Sequence, residues 1–174
     1  MVTKQAILKG AYRLMMKRSL DKITVTDIAK ECQITRQTFY YHFQDILAMV
    51  EWGVQNELDR LVQKSEHAES MEDVLLLFCR SVMEKKTVFS KIIESRYNLQ
   101  LLHMMSGQVR EYMVKLMYQR AENEEKSVKD MIFLVEYHSG AITFMLSEWL
   151  QKKDVDMEEG IVQIAKVVRG ELHA

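Results

Sequence analysis

The sequence predicts an all-α protein, and three observations carry that reading. There is no proline in 174 residues, and proline removes a backbone donor and breaks helix interiors, so its absence suits a chain that is helical almost throughout. Apolar residues recur at three- and four-residue spacing, and no stretch alternates apolar and polar long enough for a sheet. Six glycines leave few obvious turns.

The elements follow in order. Thr3 caps a first helix with Ile7, Ala11, Leu14 and Met15 on one face, and Ser19-Leu20-Asp21-Lys22 ends it. Thr26 reads as the cap of a short second helix, with Asp27 in the first turn, where the helix dipole favours an acid. Gln33-Ile34 makes a tight connection, and Thr35 caps a third helix through His42. A fourth begins near Gln44 or Asp45 and runs to about Ser65. Ser70 with Asp73 has the form of a capping box opening a helix to about Lys85. Shorter helices are expected over 87–95 and 97–106, with Gly107 at a boundary, and another over 108–124. Ser127 caps a long helix to about Gln151, and Asp156 opens the last, to about Gly170.

Net charge is −1, but it is unevenly spread. Residues 1–50 hold eight Lys/Arg against four Asp/Glu, a balance of +4, so the remainder sums to −5. A basic first third on an acidic body suits a nucleic-acid-reading module joined to one that does not read it. Cys32 and Cys79 have neither metal-ligand spacing nor a disulfide framework and read as small buried hydrophobes. The five histidines do not cluster with carboxylates or cysteines, so neither metal nor cofactor is expected. No signal-peptide h-region and no membrane-length apolar run is visible, which makes cytoplasmic residence the expectation.

Two short helices joined by a three- or four-residue turn are the core of a helix-turn-helix, whose second helix presents its N-terminal side chains to base edges in the major groove. Here that helix reads Thr35-Arg36-Gln37-Thr38-Phe39-Tyr40-Tyr41-His42-Phe43. Phe39 and Phe43, four apart, should point inward and leave Arg36, Gln37, Tyr40 and Tyr41 on or near the outer face. Arg36 can fork to guanine O6/N7 and Gln37 can pair with adenine N6/N7. Thr26, Thr38, Tyr40 and His42 suit phosphate oxygens, which fix register without reading sequence.

Val25-Thr26-Asp27-Ile28-Ala29, followed after the turn by Ile34 through Phe43, resembles the DNA-binding domain of the TetR family of transcriptional regulators. The likeness covers about residues 5–50, including the apolar first helix, the Ile23/Val25 entry and the T-F-Y-x-H-F run at 38–43. Three positions depart from the family pattern. Gln33 stands for a usual glycine and has to accept an unfavourable turn conformation, Ser19 stands for another, and Ile46 replaces a lysine that many members use on phosphate. The N-terminus of the fourth helix could still offer backbone N–H groups there.

The resemblance implies two domains, a helix-turn-helix domain at 1–47 and a helical effector-binding and dimerisation domain at 48–174. In the latter, Phe133, Tyr137, Gly140, Ala141, Phe144, Met145 and Trp149 form an apolar band on one helix, and Ile161, Ile164, Ala165 and Val168 form one on the next. These bands are expected to build a homodimer through a four-helix bundle. A twofold dimer would set two recognition helices about one DNA turn (~34–36 Å) apart, matching a palindromic operator. The middle helices concentrate Phe78, Met83, Phe89, Tyr97, Leu101, Met104, Met105, Tyr112, Met113 and Met117, an adaptable lining for an apolar small-molecule effector. His103, Tyr137 and His138 are its candidate polar handles.

The functional expectation is a dimeric repressor released from double-stranded DNA by a small apolar ligand, the alternative being an activator or a regulator with a protein effector. An enzyme is disfavoured: no nucleophile elbow, Gly-rich phosphate loop or H-E-x-x-H is present.

Overall fold

The computed structural model describes residues 3–65, 71–121, 127–152 and 155–171; within these, side chains at 65, 71–76, 79, 112, 115–121 and 157 are not described. Among the described residues the chain is all-helical. In order come α1 (Lys4–Met15), a short 3-10 turn (Leu20–Lys22), α2 (Val25–Glu31), α3 (Arg36–His42), α4 (Ile46–Ser65), α5 (Met71–Glu84), α6 (Lys86–Ile93), α7 (Asn98–Ala121), α8 (Val128–Gln151) and α9 (Met157–Arg169).

Several caps stand where the sequence places them. Thr3 accepts from the Ala6 N–H, Thr35 from Thr38, Ser127 from Asp130 and Asp156 from Glu159. The α2 cap does not: Thr24, not Thr26, caps that helix, and Asp27 closes a capping box back onto the Thr24 N–H. Thr26 instead sits exposed in the first turn. Gly107 ends nothing. The helices expected at 97–106 and 108–124 are one helix, α7, and Gly107 is exposed with open space where a Cβ would lie. Its helix-propensity cost, about 1 kcal/mol, does not break a helix of 24 residues. The Ser70–Asp73 box and the end of the helix expected at 108–124 fall outside the described residues.

The chain divides into two packing units. The first joins residues through Asp59 to Lys85–Leu101, and the second joins Arg60–Glu84 to the chain from Leu102 onward. In the first, α2 packs on α1 and α3, and α6 packs on α1, around buried Ile7, Met15, Leu20, Ile28, Phe39, Met49, Phe89 and Ile92. In the second, α9 packs against α5 and α8, and the core holds Met113, Val135, Ile142, Leu146, Ile161, Ile164 and Ala165.

One close approach sets the α1–α2 spacing. A methyl group at Gly10 would overlap Cys32 Sγ, which lies 3.8 Å from the Ile7 carbonyl oxygen. Gly10→Ala alone should therefore lower stability by about 1–2 kcal/mol, because overpacking outweighs the helix-propensity gain. In a Cys32→Ala background the same change should become neutral or stabilising. Urea unfolding of the four chains checks this, and equal effects in both backgrounds would disprove the contact.

Candidate nucleic-acid interface

Two polar braces hold the helix-turn-helix. At the start of α2 the Asp27 carboxylate accepts from the Thr24 N–H at 2.9 Å and the Thr24 hydroxyl at 2.6 Å, and it pairs with Arg18 Nη2 at 3.1 Å. The Thr24 hydroxyl and N–H, then Arg18, hold its pKa down at about 2. At the far end of α2, Arg13 Nε donates to Glu31 Oε1 at 2.6 Å and ties the helix to α1.

The turn between α2 and α3 ends in a Schellman motif. The Ile34 N–H reaches the Ala29 carbonyl at 2.9 Å, and the Gln33 N–H reaches Lys30 at 3.2 Å. Gln33 occupies the left-handed position, φ +55°. The unfavourable conformation read from the sequence at this residue is the one it adopts.

Beyond the turn, Thr35 caps α3 and its hydroxyl lies 2.9 Å from that of Thr38. Phe39 is fully buried and Phe43 nearly so, their ring centres 5.9 Å apart. The opposite face carries Arg36, Gln37, Tyr40 and Tyr41, all exposed, Tyr41 at 77%. The Arg36 guanidinium lies 5.9 Å from the Tyr40 ring centre. Thr38 and His42 are half-buried, with His42 edge-on to Tyr41. Thr35, Arg36, Gln37, Tyr40 and Tyr41 thus share one exposed surface on α3, and Thr26 is exposed on α2. The surface is polar and aromatic, able to donate bidentate hydrogen bonds and to touch phosphate.

Sequence reading missed two features beside it. Lys4 Nζ lies over the rings of Phe43 and Trp52, 5.4 and 5.7 Å from their centres. Also, Asp45 caps α4, its Oδ1 accepting from the Ala48 N–H at 2.7 Å. One of the N-terminal N–H groups of α4, that of Ala48, is therefore taken by an internal carboxylate. Ile46 is buried.

The residues expected to line an effector pocket do not share one packing unit. Phe89, Tyr97 and Leu101 belong to the unit of the helix-turn-helix, where the Arg96 N–H and guanidinium reach Asp21 in the 3-10 turn. Phe78 and Met83 pack against the core around Met113 in the other unit. Met105 is buried and Met104 half-buried. His103 is exposed, and Tyr137 is 58% exposed, so neither is an interior handle. His138 is buried, which pushes its pKa down. The side chains of Tyr112 and Met117 are outside those described. A half-open groove of about 270 Å³ lies between α7 and α8, lined by Arg110, Val114, Val128, Met131, Ile132, Val135 and Glu136, with Val128 and Ile132 exposed to solvent. The Val128-Met131-Ile132-Val135 spacing, one helix face, was its available sequence signal.

On α8 the expected dimer residues separate by face. Phe133, Gly140, Ala141 and Phe144 are exposed, Phe133 at 68% and Phe144 at 65%, and Phe133 stacks on Tyr137. Ile161, Ile164 and Ala165 of α9 are instead buried in their own unit's core. Val168 is half-buried against that core, and the Trp149 indole covers Gly160.

Residues 7–51 match the family described as bacterial regulatory proteins, tetR family, and residues 69–170 match a transcriptional regulator C-terminal region. The chain is 25% identical over 149 residues to the HTH-type dhaKLM operon transcriptional activator DhaS of Lactococcus lactis, spanning 84% of this chain and 79% of that protein. A solved dihydroxyacetone kinase operon activator DhaS superposes with a TM-score of 0.80 at 23% identity, covering 98% of this chain and 96% of that one. A tetR-family regulator from Streptomyces coelicolor superposes at 0.71 with 17% identity, covering 97% and 82%. The fold is thus shared well beyond the similarity of side chains.

Gln33 yields a test of the turn. Gln33→Gly should raise stability by up to about 1 kcal/mol, since relief of the left-handed penalty exceeds the added freedom of the unfolded chain. Gln33→Val should lower it. Thermal unfolding of the three chains decides, and a glycine that destabilises would contradict the turn geometry.

Proposed function

The chain belongs to the TetR family of DNA-binding transcriptional regulators and is not an enzyme; on that premise we propose that it works as a homodimer reading a twofold-symmetric operator through α3. Arg36 and Gln37 contact base edges, and Thr26, Thr35, Thr38, Tyr40, Tyr41 and His42 hold the backbone. The observation that carries this is the exposed face of α3, where an arginine and a glutamine with bidentate capacity stand opposite a buried Phe39. The dimer forms through the outward stripe of α8, with Phe133, Tyr137 and Phe144 at its centre. Burying one such phenylalanine contributes about 1.5–3 kcal/mol, enough for a few to hold two chains together.

The direction of control proposed is activation, as in the Lactococcus lactis relative, a transcriptional activator. A second reading, a repressor released by a small apolar ligand, is favoured by the groove between α7 and α8, whose size is close to that of small-ligand pockets. Its Arg110–Glu136 pair, 3.0 Å apart, would meet the polar end of such a ligand. Transcription from a promoter bearing the selected operator, with and without the chain, separates the two.

Selection from a random-sequence DNA pool should return an inverted repeat with half-sites about one helical turn apart. Arg36→Ala should then cost about 1–3 kcal/mol and relax one position of each half-site, whereas Tyr40→Phe should weaken all sequences alike. Selection that enriches no repeat would overturn the proposal. Phe133→Glu with Phe144→Glu should yield monomers in sedimentation and lose operator affinity while keeping helix content; a double variant that still dimerises would remove α8 as the interface.

A further inference from the structure

Lys4 is placed for a purpose that its own helix does not require. It is exposed in the first turn of α1, where a cation is disfavoured by the helix dipole. Its ammonium is nevertheless held over two aromatic rings, Phe43 at 5.4 Å and Trp52 at 5.7 Å. Phe43 is the residue that closes α3, and Trp52 lies two turns into α4. The rings restrict a flexible side chain and fix one positive charge beside the C-terminal end of α3. Among the described residues no carboxylate is paired with it.

That end of α3 is where the phosphate backbone must pass. A seven-residue helix is about 10 Å long, and the major groove is about 12 Å wide. A helix entering by its N-terminus therefore has its last turn at the groove's phosphate rim. The next element offers no cation there: Gln44 and Asp45 precede α4, which opens on a buried Ile46, and the Asp45 carboxylate accepts from the Ala48 N–H in its first turn. The only fixed charge α4 presents at its start is negative, which an approaching phosphate would oppose.

Resting on the DNA-binding reading above, we propose that Lys4, clamped over Phe43 and Trp52, is a DNA phosphate contact of this chain, supplying from α1 the positive charge that the start of α4 lacks. The contact is sequence-independent, because it touches no base edge. It belongs to the binding surface although it lies more than thirty positions before α3 ends, and its charge must track ionic strength as any phosphate contact does.

The test compares the parent with Lys4→Met and Lys4→Arg in the full chain, by titrating a selected operator duplex and a mixed-sequence duplex across a series of KCl concentrations. Methionine keeps an unbranched stem against the two rings and removes only the charge. Lys4→Met should reduce the slope of log K against log[salt] by about 0.9 per lost contact, about twice that for two half-sites, and weaken both duplexes by the same factor. Lys4→Arg should retain the parental slope, and Lys4→Met, which loses the cation–ring contact, should unfold at a slightly lower urea midpoint while staying folded under the binding conditions. If Lys4→Met binds with the parental slope, the inference is overturned while the DNA-binding reading stands. A slope that falls for the selected operator alone also overturns it, since a phosphate contact cannot read sequence. A parent that binds neither duplex overturns both readings together.

Discussion

The outward chemistry of α3 depends on the burial of Phe39. A seven-residue helix cannot persist alone, because nucleation costs more than so few hydrogen bonds return. It stands only because α3 packs on α2 with Phe39 fully buried and Phe43 closes the last turn behind it. Emptying such a site costs about 3–5 kcal/mol, more than any single polar contact on the opposite face contributes. With Phe39 fixed inward, helical geometry leaves Arg36, Gln37, Tyr40 and Tyr41 no direction but outward. The braces at both ends of α2, Asp27 to Thr24 and Arg18 and Arg13 to Glu31, then set where that face stands within its unit.

The same division recurs on α8 with a different outcome. Val135, Ile142 and Leu146 face the core with α9 and are covered. Phe133, Tyr137 and Phe144 are as apolar as those residues and remain in solvent. Among the described residues nothing covers this face. Phe133 and Tyr137 one turn apart, with Phe144 two turns further on, form an exposed patch that water disfavours, and a twofold partner would cover it with the same patch. Ile161, Ile164 and Ala165 are just as apolar and just as periodic, yet they are already spent on the interior of their own unit.

Within the first unit, segments distant in sequence complete the scaffold. Residues 85–101 return to it, α6 lying on α1 and Arg96 reaching Asp21. Lys85 also pairs with Glu57 of α4. The aromatic clamp on Lys4 is of the same kind, made from the first turn of α1, the cap of α3 and the second turn of α4. No local pattern announces such contacts. Each of the residues is unremarkable beside its sequence neighbours, and only chain reversal brings them together.

The sequence by itself determined the helical class, most caps, the strained Gln33 turn and the polar face of α3. All of these follow from interactions within a few residues: missing proline, a hydroxyl three positions before an N–H, a four-residue spacing of Phe39 and Phe43. It misplaced the α2 cap by two residues, because Thr24 and Thr26 are chemically equal candidates and the choice lay with Asp27, which closes on Thr24. It also broke α7 at Gly107, since a local penalty of about 1 kcal/mol says nothing of the packing that overrides it. Tertiary structure alone decided which apolar stripes are interior and which are free. It separated Phe89 and Tyr97 from Phe78 and Met83, and put Lys4 beside α3. Periodicity states that a face is apolar; it does not state what the chain, on folding back, will lay against it.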